Sequence, residues 1–307
     1  MELKKIAFLG VDNAGKSTIL NILSERYSLI NNLTPTVKIT RHKMENIFGY
    51  SLINWDFPGQ KSLREKYLKD VSKTLANTDL IIYVIDVRDY RRILESLKFF
   101  KLVLSKLREK DSADIPIFVF CHKVDPDIAN SEMVISNIEY IKHRINSIID
   151  NNQEIKFFNT TIYDRWTIFF AFSKAFMLLL PEAKEQKIRK VLEDFANQND
   201  FKSVLLMNEN NLIINEFSVD SFSSEVINSL ALTLNEVYDI AKEKDLGDQV
   251  RIELLSGVAI LIPIILGNNL RFFLLSFLDS IPPDFEIKGI DQVIERIEAI
   301  QDLSEVS

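Results

Sequence analysis

Cysteine is almost missing from this 307-residue chain, with Cys121 standing alone. No intramolecular disulfide and no cysteine-built zinc site can therefore form. Histidine is nearly as scarce, and His42, His122 and His143 are scattered. A lone cysteine fits a reducing, cytoplasmic compartment. Long apolar runs are lacking too: the longest, 259–266 and 169–180, are too short or too interrupted to span a bilayer. The opening Met-Glu-Leu-Lys-Lys does not read as a signal peptide. Glu2 excludes N-myristoylation, and the tail Ser-Glu-Val-Ser offers no cysteine for prenylation. Any visit to a membrane is therefore expected through partners. Positive charge is also short, with 37 Lys and Arg against 44 Asp and Glu for a net −7. A nucleic-acid partner is not expected without a strong local basic patch.

What the chain has is core material and rhythm. Hydrophobic residues make up 47% and charged residues 26%, which is ordinary for globular domains, and the length suits two of them. Up to residue 180, apolar runs at 5–9, 52–56, 80–86, 117–122 and 155–159 read as buried strands. They alternate with helical patterns at 16–27, 61–75, 93–110, 135–150 and 166–180, the last stopped by Pro181. Such alternation implies a mainly parallel sheet covered on both faces. From 182 the rhythm changes to a helix (182–199), a hairpin (202–207 and 212–217), a long helix (223–244), three close strands (250–255, 258–266, 270–278) and a last helix (290–300). The order α-β-β-α-β-β-β-α implies an antiparallel sheet with helices, an α+β domain. The expected domains are 1–181 and 182–307.

Gly10-Val11-Asp12-Asn13-Ala14-Gly15-Lys16-Ser17 satisfies G-x-x-x-x-G-K-[ST] between an apolar strand and a helix. A chance match in such a chain is on the order of one in a hundred on average residue usage. The glycines permit a turn that aims main-chain N–H groups inward, a nest for anionic oxygens at a helix N-terminus. Asp12, Asn13, Ala14, Gly15, Lys16, Ser17 and Thr18 are thus candidate phosphate contacts. Lys16 would reach the β- and γ-phosphates, and Ser17 would ligate Mg²⁺. Asp12 puts a carboxylate in a loop built for anions. It is expected to point outward or to pair with a cation.

Trp55-Asp56-Phe57-Pro58-Gly59-Gln60 comes straight off a strand. Asp56 suits the Mg²⁺ shell, Gly59 lets an N–H approach the γ-phosphate, and Gln60 can orient an attacking water. Thr36 can complete the metal shell, with Thr34 as its rival. His122-Lys123-Val124-Asp125 follows another strand. Asp125 can accept from guanine N1–H and the 2-amino group. Adenine has neither donor and would leave a buried carboxylate unpaired at roughly 1–3 kcal/mol, so GTP or GDP is expected rather than ATP. Lys123 can lie along the base. His122 can tie the loop down or merely end the strand. Thr161 and Ile162 offer N–H groups to guanine O6. The basic run Lys61, Arg64, Lys66, Lys69, Lys73 reads as a solvated helix surface first and an effector-binding face second.

These residues resemble the Rag/Gtr branch of the Ras-like GTPases. The resemblance rests on Trp55 to Gln60, on the histidine of His122-Lys123-Val124-Asp125, and on Thr160-Thr161-Ile162-Tyr163-Asp164. The phosphate loop and Pro35-Thr36-Val37 are more similar to the Arf family. The C-terminal element order is similar to a roadblock, or longin-like, domain. The resemblance implies an α/β fold: a six-stranded Ras-like P-loop G domain followed by an α+β roadblock domain. It further implies switch segments at about 32–40 and 59–73, and a homo- or heterodimer through the second domain. GTPase-activating and exchange factors are implied as further partners. Hydrolysis leans on Gln60, since no arginine can be assigned: Arg26, Arg41 and Arg64 are near in sequence, but nothing fixes their direction. Slow intrinsic turnover is expected. The alternative is a scaffold subunit that holds nucleotide without cycling.

Overall fold

The computed structural model describes residues 2–24, 36–47, 50–69, 71–109, 115–149, 153–245, 247 and 249–301. The chain divides into two compact units, Met1–Ala171 and Phe172–Ser307.

The first unit is built on a six-stranded sheet of order β2-β3-β1-β4-β5-β6. Its strands are β1 (Glu2–Leu9), β2 (Thr40–Ile47), β3 (Tyr50–Asp56), β4 (Leu80–Asp86), β5 (Ile117–His122) and β6 (Ile155–Thr160). All neighbours are parallel except β2, which runs antiparallel to β3 along an edge. Central strands of such a sheet are covered on both faces, and β4 and β5 are accordingly almost wholly buried. The helices are α1 (Lys16–Leu23), α2 (Lys61–Leu68), α3 (Val71–Thr74), α4 (Tyr90–Arg108), α5 (Glu132–Asn146) and α6 (Arg165–Leu179), the unit boundary falling inside α6.

Two boundaries follow from caps that hydrophobic periodicity does not register. Helix α4 starts at Tyr90 because the Asp89 carboxylate accepts the N–H groups of Arg91 and Arg92, and α5 starts at Glu132 because Ser131 caps Val134 N–H. The helix expected over 61–75 is two helices, α2 and α3. The expected helix tail 25–27, Thr34 and residues 32–35 of the first switch lie outside the described residues.

Chain order runs outward from β1 to one side, then returns to the other, so the carboxyl ends of β1, β3, β4 and β5 converge on a switch point. Open α/β sheets bind ligands there.

The second unit holds a five-stranded antiparallel sheet of order β8-β7-β11-β10-β9. Its strands are β7 (Ser203–Asn208), β8 (Ile213–Ser218), β9 (Val250–Leu254), β10 (Gly257–Leu266) and β11 (Leu270–Leu278). The hairpin turn between β7 and β8 is set by Asn208, whose Oδ1 accepts the N–H groups of Asn210 and Leu212. Helix α8 (Ser221–Glu243) lies across the sheet, burying Ile227, Ala231, Leu234 and Tyr238. Helices α7 (Glu182–Gln198) and α9 (Ile290–Gln301) pack on each other and on the sheet. This is a roadblock-like α+β domain. Among the described residues no single helix is long and apolar enough to cross a membrane.

Candidate functional site: a phosphate loop and a buried carboxylate

The loop between β1 and α1 has the curvature its glycines allow. Asn13 and Gly15 both take positive φ, 56° and 101°, which turns successive N–H groups toward one centre. Lys16 is buried, and its Nζ donates to Gly10 O (3.2 Å) and Val11 O (3.0 Å). Burial pushes its pKa down to about 8, against the pull of Asp56 and Asp12. A desolvated ammonium held by two carbonyls is well disposed toward an anion.

At the mouth of the loop, Ser17, Thr36 and Asp56 meet. Ser17 Oγ donates to Asp56 Oδ2 at 2.5 Å and lies 2.9 Å from Thr36 Oγ1, which is 3.2 Å from the same carboxylate oxygen. The other oxygen, Asp56 Oδ1, is buried with no hydrogen-bond partner among the described residues. Hard oxygen donors around one carboxylate suit Mg²⁺, which binds through few protein ligands together with substrate phosphates. The three residues therefore fit the metal.

Gly59 lies flat on the phosphate loop: a Cβ there would collide with Asp12 N and Val11 C. Gln60 follows, half-buried, and its carbonyl accepts the first N–H groups of α2 from Leu63 and Arg64. Lys61, Lys66, Lys69 and Lys73 are exposed, as a solvated surface requires, but Arg64 is buried. Its guanidinium lies 4.8 Å from the Phe99 ring centroid and pairs with Glu95. Arg41, the other described candidate, lies 4.2 Å from the centroid of the Trp55 ring, which Lys5 also approaches, at 3.9 Å.

At the end of β5, Asp125 is buried and its Oδ1 accepts the Thr161 hydroxyl at 2.7 Å. The Thr161 N–H, one of the groups expected to face the base, donates to Thr167 Oγ1 instead. Thr161 thus acts on this side through its hydroxyl, with half-buried Ile162 next in the loop. Lys123 takes a positive φ of 67° and ties the two motifs together, donating to Asn13 O and to Asp86 Oδ2, both at 2.7 Å. His122 is buried against Gly15, where any Cβ would strike its ring, and its Nδ1 lies 3.0 Å from Thr160 Oγ1. Burial first, then Lys123, push its pKa down to about 3, so the ring is neutral. Ala14 is buried beneath the loop, while Thr18 on α1 is half-exposed.

Four participants carry no motif that sequence reading could use. Arg92 pairs with Asp12 at 2.8 Å, meeting the expectation that this carboxylate finds a cation. Glu95 bridges Arg92 and Arg64. Asp86 holds Lys123. Burial alone would raise its carboxyl pKa, but the bonds from Lys123 and Arg88 outweigh that and hold it below the usual range. Arg88 also reaches Asp125 Oδ2 at 3.4 Å. The one available signal was position, since Asp86 and Arg88 leave the carboxyl end of a central strand.

A parallel-rich sheet with a phosphate loop after β1 and a carboxylate-bearing loop after β5 defines a Ras-like P-loop G domain. The family model described as the Gtr1/RagA G protein conserved region matches residues 5–237, and the chain belongs to that family of small GTPases. It is 39% identical over 121 residues to the ADP-ribosylation factor-like protein 3 of Chlamydomonas reinhardtii, covering 39% of this chain and 63% of that protein. The chain thus spans less than two thirds of that relative's length. The protein of the same description in Caenorhabditis elegans is 31% identical over 144 residues, covering 46% of this chain and 73% of that protein. The ADP-ribosylation factor-like protein 2 of Drosophila melanogaster is 35% identical over 138 residues, covering 45% and 70%. Among solved structures, the Arl6 (BBS3) small GTPase of Trypanosoma brucei with bound nucleotide analogue GppNp aligns at TM-score 0.42 and 20% identity, over 56% of this chain and 94% of that one.

Proposed function

We propose that the chain is a GTP/GDP switch that hydrolyses GTP slowly and pairs through its second domain. The observation that carries this is the bond from Lys123 to Asn13: it fastens the base-reading loop to the phosphate loop, so Asp125 and the N–H nest act on one ligand. Asp125 accepts the guanine donors, with Thr161 holding the carboxylate in place. The N–H groups of Asp12, Asn13, Ala14, Gly15, Lys16, Ser17 and Thr18 hold the phosphates, and the Ile162 N–H faces the base. His122 supports the loop from beneath through Gly15. Ser17 and Thr36 hold Mg²⁺ and Asp56 its water shell. Bound there, the ion neutralises β- and γ-phosphate charge. Gly59 offers its N–H to the γ-phosphate, and Gln60 orients the attacking water. One glutamine without an assigned arginine supports slow turnover, accelerated by a partner that donates one.

Domains 1–181 and 182–307 are assigned to nucleotide and pairing respectively. Pairing draws support from α8, where Phe222, Val237 and Ile240 stay exposed while the opposite face is buried. The partner is a second copy or a related subunit, and membranes are reached only through partners. The test of switching is GTP loss with and without cell extract. The wild type is expected to turn over slowly alone and faster with extract, and Gln60→Leu to stay slow in both. Equal, zero loss throughout would make the chain a nucleotide-holding scaffold.

A further inference from the structure

The phosphate loop carries a charge of the wrong sign, and the fold answers it with a four-membered chain of ions. The Arg92 guanidinium donates to the Asp12 carbonyl and lies 2.8 Å from the Asp12 carboxylate. Its other nitrogen is 3.3 Å from Glu95 Oε2, one turn further along α4. The remaining oxygen of Glu95 takes Arg64, a buried residue of α2. The main-chain N–H of Arg64 donates to Gln60 O at 2.9 Å in the first turn of α2, so the residue that carries the last charge is fixed to the segment after Gly59. Gly59 completes the circuit by packing on the Asp12 backbone. The signs alternate from the phosphate loop to the segment after Gly59: Asp12, Arg92, Glu95, Arg64.

We infer that Arg92 determines specificity for triphosphate over diphosphate, and that Glu95 links this role to the position of Arg64. The inference rests on the GTP reading above, which puts the γ-phosphate beside Gly59. The Asp12 main chain packs on Gly59, which puts this residue at the γ end of the site, with its carboxylate turned to Arg92. Unscreened, it repels GTP more than GDP, because the extra charge of GTP is the nearer one. Arg92 cancels that charge. When α2 shifts and Arg64 leaves, Glu95 turns wholly to Arg92 and draws it from Asp12, and the site loses preference for GTP. The position of the second switch segment is thereby written into the charge of the phosphate loop.

The test is the ratio of GTP to GDP affinity with Mg²⁺, read by competition with a fluorescent guanine nucleotide. Asp12 and Arg92 are partly exposed, with side chains 45% and 30% accessible, so solvent screens the effect. Arg92→Gln is expected to lower the ratio by about three- to tenfold, mostly through GTP, and Arg92→Lys to keep it. Asp12→Asn in the Arg92→Gln background is expected to restore the ratio, which a loss of packing alone would not do. Asp12→Asn in the otherwise native chain removes one negative charge from the loop while Arg92 keeps its Glu95 partner, and should raise the ratio. That prediction stands even if Arg92→Gln fails to fold. Equal losses for both nucleotides in Arg92→Gln, no restoration in the double variant, or a ratio unchanged or lowered in Asp12→Asn would each overturn the inference. A wild type that binds neither nucleotide would instead overturn the GTP reading itself.

Discussion

His122 is wedged between Gly15 and Thr160 as a neutral ring, and that has a consequence for pH. Its folded pKa, about 3, lies below its ordinary value of 6.5. Between those values the unfolded chain binds a proton that the folded chain refuses. The stabilisation is therefore complete above about pH 6.5 and is lost as pH falls toward 3. At pH 5 the loss from this group is about 2 kcal/mol relative to pH 7. Urea unfolding at the two pH values should show that difference, and His122→Asn should remove it. An identical pH dependence in the variant would mean that His122 is not the titrating group. At this scale the sequence displayed the candidate site residues by their motifs. Lys16, Ser17, Asp56 and Asp125 announce themselves by spacing, and the structure brings Ser17, Thr36 and Asp56 into one cluster. Their supports did not show. Arg92, Glu95, Asp86 and Arg88 follow no spacing rule, because a side chain that braces another is selected by distance across the fold.

Elements were legible where apolar periodicity was strong. Every strand that faces a covered core appeared in the pattern, including the hairpin 203–218 with its asparagine turn. Strand β2 did not appear. Its sequence, Thr-Arg-His-Lys-Met-Glu-Asn-Ile, is polar because it lies on an edge, where Thr40–Met44 stay exposed or half-exposed, and only the resemblance to a six-stranded domain implied it. Helix starts were misplaced by a few residues wherever a cap, not an apolar residue, sets the first turn. Asp220 gives a direct test of how much such caps contribute. Its Oδ1 accepts Ser223 N–H at 2.7 Å at the head of the 23-residue α8. Asp220→Ala should cost about 1 kcal/mol, visible as a lowered melting temperature with nucleotide affinity unchanged. An unaltered melting curve would show that the helix is held by its packed face alone.

For the whole molecule, the change of rhythm after residue 180 corresponds to two separate sheets, one parallel-rich and one antiparallel. The boundary between the two compact units falls within α6, after Ala171. If the second unit pairs, light scattering of the nucleotide-loaded protein should give about twice the 35.5 kDa chain mass, or the mass of a complex with a related subunit when the two are mixed. A monomer under both conditions would remove the pairing role. The central claim is that one ligand spans the phosphate nest and the Asp125 carboxylate, and titration calorimetry with GDP, GTP and ATP in the presence of Mg²⁺ tests it most directly. The account predicts heat and saturation at micromolar protein with both guanine nucleotides, and binding of ATP weaker by roughly ten- to a hundredfold, the cost of a buried carboxylate that gains no donors from the base. No heat with GDP or GTP, or equal affinity for ATP, would contradict it.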